Sequence, residues 1–74
     1  MVKQIGERIT IDPKVKSGKP VIKGTRVGVE LIIGQIAGGM SIDQVADEYE
    51  LSAEDVKAAL RYAAHLVSLR RVRE

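Results

Sequence analysis

The sequence predicts a mainly α fold: a short N-terminal β-hairpin, then three helices, the last two like a helix-turn-helix pair. Three observations predict it. Apolar residues alternate with period two only near the start, in Arg8-Ile9-Thr10-Ile11-Asp12. From Val29 the spacing becomes helical, with Val29, Ile32, Ile33 and Ile36 at i, i+3, i+4 and i+7. Ser41 and Ser52 each stand before a fresh helical run, where serine is a preferred N-cap.

The hairpin region is expected over 8–27. Ile9 and Ile11 share one face of its first strand, with β-branched Thr10 between them, and Asp12-Pro13 ends it because proline cannot donate to a ladder. Pro20-Val21-Ile22 is the second extended piece. Arg26-Val27-Gly28-Val29 is either a third or the entry to a helix. The first helix is expected over 28–38, stopped at Gly38-Gly39, where a glycine supplies a left-handed cap. The second, over 42–49, carries Asp43 and Gln44 in its first turn and places Ile42, Val45, Ala46 and Tyr49 on one face. Glu50-Leu51 is a tight corner. The third, over 53–70, opens on Ser52-Ala53-Glu54-Asp55, a capping box in which aspartate replaces glutamate. Val56, Ala59, Leu60, Ala63 and Val67 line one of its faces, and Tyr62, Leu66 and Leu69 widen the stripe. The expected core is Ile9, Ile11, Val21, Ile22, the four first-helix and four second-helix positions just named, Leu51, Val56, Ala59, Leu60, Ala63 and Val67.

The 74 residues are expected to form one domain, 1–74. A single core of this size contributes only about 3–5 kcal/mol of net stability. With no cysteine and one histidine, His65, the chain has neither disulfides nor a thiolate metal site. A homodimer is the expected remedy, and the widened third-helix stripe is its expected contact. No metal or cofactor is expected. MVKQIGER lacks the apolar run of a signal peptide. VGVELIIGQIAGGM is broken by Glu30 and Gln35 and is too short to span a bilayer. A cytoplasmic protein without a membrane partner is expected.

Charge is segregated. Residues 1–26 carry seven bases and two acids, 27–60 one base and seven acids, and 61–74 four bases and one acid. Surfaces of opposite sign are expected for partners.

SGKPVIKGTRV, over 17–27, is the densest motif. It is not a Walker loop: Pro20 follows Gly18-Lys19 and brings no amide hydrogen, and Gly24-Thr25 lacks the lysine between. As a turn, it uses Gly18 and Gly24 for positive φ and Pro20 to start a strand. IDPKVKSGKPVIKGTRVGVELII, followed by GGMSIDQVADEYELSAEDVKAALRYAA, resembles the domain-of-unknown-function family 433 over about residues 8–64. The motif residues are Gly18, Lys19, Pro20, Gly24, Thr25 and Arg26. SAEDVKAALRYA supports the likeness independently. The resemblance implies a small helix-turn-helix, homeodomain-like domain acting as an antitoxin beside a PIN-like ribonuclease toxin. Two departures stand out: the family often has proline at the positions of Gly28 and Glu50. A cysteine that often precedes the glycine pair is also replaced here, by the region of Val15, Lys16 and Ser17.

In a helix-turn-helix the second helix enters the major groove N-terminus first. Here that end carries Glu54 and Asp55, which repel phosphate and stabilise the helix dipole. Duplex DNA could instead meet Lys57 and Arg61, which share a stripe with His65, and Lys19 and Lys23, with Lys14 and Lys16 near them. The alternative for the stripe is a solvated face. Arg70, Arg71 and Arg73 suit an acidic partner site such as a ribonuclease centre, or simply complement a helix C-terminus. An enzyme is not expected: no Ser-His-Asp or Cys-His set exists, and Asp43 and Asp47 read more simply as a solvated face than as magnesium ligands. The function expected is that of an antitoxin or transcriptional regulator binding a PIN-like toxin and its own operator. The alternative is a homodimeric interaction module that does not bind DNA.

Overall fold

The computed structural model describes residues 1–69, so the expected partner residues Arg70, Arg71 and Arg73 lie outside the described part. Strands β1 (Lys3–Gly6), β2 (Ile9–Ile11) and β3 (Val21–Ile22) form one antiparallel sheet in the order β1-β2-β3. Helices α1 (Val29–Ala37), α2 (Ile42–Glu48) and α3 (Ala53–Ser68) follow.

β1 has no signal in the sequence, because Lys-Gln-Ile-Gly offers one β-branched residue and no alternation. It exists through pairing. A turn at Glu7-Arg8, with Arg8 left-handed at φ 65, sets Lys3 against Ile11, Gln4 against Thr10 and Gly6 against Ile9, and Ile5 is left as a bulge. A Cβ on Gly6 would lie 3.3 Å from the Tyr62 ring, so glycine lets this turn seat on α3.

The expected one-sided burial of β2 needs correction. Ile9 is fully buried, but Thr10 is only 4% exposed and Ile11 is half-buried, outside the main cluster. β2 is the central strand, and Thr10 pairs with buried Val21 on the outer face, which the 12–15 loop and the 24–26 turn partly cover. The two readings of 26–29 turn out to be one structure. Val21 and Gly28 bridge through Ile22 N–H to Val27 C=O at 2.9 Å and Val29 N–H to Pro20 C=O at 3.0 Å, and Gly28 is then the N-cap of α1.

Each helix ends for a visible reason. After α1, Gly39 sits at φ 112 and bonds Ile36 C=O, while Met40 N–H reaches Gln35 C=O, which is a Schellman cap. Ser41 and Gln44 form a full capping box at the start of α2. α2 closes with the same cap, Leu51 N–H to Ala46 C=O at 2.8 Å, but its left-handed residue is Glu50 at φ 56. Ser52 and Asp55 complete the expected box of α3.

Ile9, Ile22, Ile32, Val45 and Val56 form the fully buried centre, where α3 meets α1, α2 and β2. Buried on several sides, α3 also hides Ala58, which a single stripe omits. Val67 is the opposite error: it is 71% exposed, because every α3 residue from Ala64 onward is exposed beyond the packed body.

Candidate functional site

The motif stretch is a braced loop. Asp12 Oδ1 accepts from Lys14 N–H at 2.9 Å, starting a turn that Val15 N–H to Asp12 C=O closes. Lys16, Ser17 and Gly18 follow at φ 50, 56 and 81, a rare left-handed 3-10 turn. Gly24, at φ 77, turns the chain after β3. Thr25 fixes this second turn: its hydroxyl donates to Ile22 C=O at 2.7 Å and accepts from Val27 N–H at 3.0 Å. Threonine in the GTR triplet is therefore a brace. Arg26 is exposed and makes no ion pair among the described residues.

The α3 cations stand differently. Lys57 Nζ lies 3.7 Å from Glu54 and Arg61 lies 3.4 Å from Glu7 in the β1–β2 turn. Lys19 pairs with Glu30 at 3.2 Å. Of the four expected DNA contacts, Lys57, Arg61 and Lys19 are thus each held by an acid, and Lys23 alone is exposed without one among the described residues. His65 is an exposed helix residue.

Sequence reasoning missed a clamp. Arg8 Nη1 lies 3.0 Å from Asp55 Oδ1, while Asp55 Oδ2 accepts from Ser52 N–H at 3.1 Å. One carboxylate both caps α3 and pins the β1–β2 turn to it. Arg8 and Asp55 are 47 residues apart, so no local pattern announces the pair. Burial pushes the Asp55 carboxyl up, but the Ser52 amide, the Arg8 guanidinium and the Ser52 hydroxyl outweigh it and hold the group below its ordinary value of 3.8. A carboxyl with a depressed folded pKa stabilises fully above its unfolded pKa and loses that contribution as pH falls through the folded value. Acid urea titrations should show the effect: Asp55→Asn loses less stability than wild type as pH drops below 3.8. Parallel losses in the two proteins would remove the clamp from the acid response.

An apolar groove of about 440 Å³ runs between α1 and α3, lined by Pro20, Val29, Ile33, Gly34, Tyr62, Ala63 and Leu66, with Lys19 and Glu30 on its rim. Leu66 is 45% exposed and Leu69 66%, so the apolar surface continues along α3 past the groove. A second hollow, of about 310 Å³, opens on the outer sheet face, lined by Val2, Thr10, Asp12, Val15, Val21, Gly24, Thr25 and Arg26. No helix of the described residues is long and apolar enough to cross a membrane, and no group of three or more His, Cys, Asp or Glu among them is placed to hold a metal ion.

A sheet of three short strands, a GTR turn braced by its threonine and two serine-capped helices around a common core define this chain's class. It belongs to the family described as protein of unknown function DUF433, whose model matches residues 9–63. It is similar to the uncharacterized protein y4eO of Sinorhizobium fredii (strain NBRC 101917 / NGR234), 34% identical over 58 residues, which are 77% of this chain and 26% of that protein. The crystal structure of Rv2018 from Mycobacterium tuberculosis superposes with a TM-score of 0.65 at 31% identity, covering 70% of this chain and 24% of that one. The chain thus spans about a quarter of the length of these relatives.

Proposed function

We propose that this chain is a non-catalytic binding module that pairs with a second copy of itself through the α1–α3 groove, in the role of an antitoxin or regulator. The observation that carries the pairing is the groove and its continuation over Leu66, Val67 and Leu69. Contiguous exposed apolar surface on a chain of 74 residues marks an interaction site. Self-pairing is favoured by the rim, which carries both signs. In a two-fold contact the patch meets itself, and a rim whose Lys19 and Glu30 already pair at 3.2 Å sets no like charges against each other. A rim of one sign would repel its own copy.

The antitoxin role, with a PIN-like ribonuclease as target, rests on the family likeness. Inhibition of an acidic-site ribonuclease encoded beside this chain tests it, and a chain ending at Leu69 tests the arginine tail separately. The pairing is tested by sedimentation equilibrium at micromolar concentrations. A dimer is the expected mass, and a monomer throughout would remove the proposal. Operator binding belongs to the same role. Its helix-turn-helix form is weakened by Glu54 and Asp55 in the first turn of α3, which repel phosphate.

A further inference from the structure

The free charges are sorted by element. Among the described residues, the Lys and Arg side chains without an ion pair are Lys3, Lys14, Lys16, Lys23 and Arg26, all before α1. The acids without one among the described residues are Asp43, Asp47, Glu48 and Glu50, on α2 and its exit, and Asp12 beside the cations. Arg26 lines the outer hollow of the sheet, Lys14 and Lys23 are chain neighbours of its lining residues Val15 and Gly24, and Lys16 follows Val15 but lines the adjoining hollow between the 16–20 loop and α1. The loops that carry them are pinned by Lys14 N–H to Asp12 Oδ1, by Lys23 N–H to Arg8 C=O at 2.8 Å and by the two Thr25 bonds.

Thr10 adds a second, independent mark. It is only 4% exposed, and its hydroxyl enters no side-chain hydrogen bond among the described residues. Yet no buried side-chain oxygen is stranded without a partner, so this hydroxyl opens into the hollow that Thr10 lines. The one carboxylate there, Asp12, already accepts from the Lys14 amide.

We infer that the outer face of the sheet, together with the two loops that carry Lys14, Lys16, Lys23 and Arg26, is where this chain meets the phosphate backbone of a nucleic acid, and that α3 does not enter a groove. The inference deepens the regulator half of the proposed function and rests on it. Cations spread over two loops suit a polyanion better than one small anion, because each side chain can neutralise a different phosphate and release its counterion. Most of the unpaired acids lie on α2 and its exit, which have no substantial packing against the sheet.

The test is fluorescence-anisotropy binding to a labelled duplex and to a labelled single-stranded RNA across a salt series. Four phosphate contacts give a log–log salt slope of about −3.6 on duplex, roughly a 100-fold loss of affinity between about 50 and 200 mM salt. Replacing Lys14, Lys16, Lys23 and Arg26 together by Gln should bring the slope near zero. The pairs Lys14→Gln with Lys16→Gln, and Lys23→Gln with Arg26→Gln, should each remove about half of it. Lys57→Gln with Arg61→Gln should leave it unchanged. All four positions are exposed, and thermal unfolding of the same samples confirms the fold. Tighter binding to one probe identifies the nucleic acid. If the α3 pair abolishes the slope and the loop variant keeps it, the surface inference falls while operator binding stands. If wild type binds neither probe, both fall. Salt-sensitive self-association lost in the loop variant would assign the surface to α2 of a second copy and overturn the inference.

Discussion

Glu50→Pro should destabilise the protein by about 3 kcal/mol or more, the usual cost of proline where the backbone forbids it. Glu50 sits at φ 56, and its amide donates to Asp47 C=O at 3.4 Å. Proline is confined near φ −65° and has no amide hydrogen, so it fails on both counts. The corner would then have to be rebuilt, and it sets the entry of α3. Glu50→Gly should do the reverse and stabilise by roughly 1 kcal/mol, because only glycine occupies the left-handed region without penalty. Gly28 provides the contrast. Its φ of −76 suits proline, the bridge bonds beside it run through Ile22 and Val29, and a Cβ there meets nothing closer than 3.9 Å. Gly28→Pro should therefore be tolerated or raise stability by about 0.4–1 kcal/mol. A proline thus fits this fold directly at Gly28 and would demand another corner at Glu50. Urea midpoints for the three variants decide the matter, and a Glu50→Pro protein as stable as wild type would refute the left-handed cap.

Leu66→Asp should weaken self-association on the order of 100-fold and leave the monomer folded. The monomer survives because Leu66 lies on the exposed half of α3, past the residues that touch the core. Association fails because a carboxylate would be buried against Ile33 and Tyr62, and the rim cation Lys19 is already paired with Glu30. Sedimentation of wild type and variant at matched concentrations reads the change, and circular dichroism reads the fold. An unchanged dimer in Leu66→Asp would move the interface elsewhere, with the free edge of β1 next in line.

How much was legible follows from how local each signal is. Helix starts and stops are written in neighbouring residues, so Ser41, Ser52, Asp55 and Gly39 act where the sequence places them. Helical faces are local too, and Val29, Ile32, Val45, Val56 and Ala59 are buried as their spacing requires. β1 was not legible, because its four residues become a strand only through partners on β2. Thr10 and Ile11 were exchanged because alternation assumes one covered face, and the central strand here has two. Val67 was misplaced because a periodic stripe does not say where the partner helices end. The clamp between Arg8 and Asp55 spans most of the chain and left no mark in spacing. The charge blocks mark the basic N-terminal region, whereas the pairing of Lys57 with Glu54 and Arg61 with Glu7 emerges only in the fold.

The most direct test of the central claim, a two-fold pairing through the α1–α3 groove, is site-specific cross-linking. The chain has no cysteine, so single introduced thiols report unambiguously. Leu66→Cys should be linked to a dimer by a flexible bis-maleimide, because a two-fold pairing over this surface keeps both thiols within one contact patch. Asp43→Cys, on exposed α2 away from the groove, should remain monomeric with the same reagent. No dimer from Leu66→Cys, or equal dimer from both variants, would contradict the groove as the pairing surface.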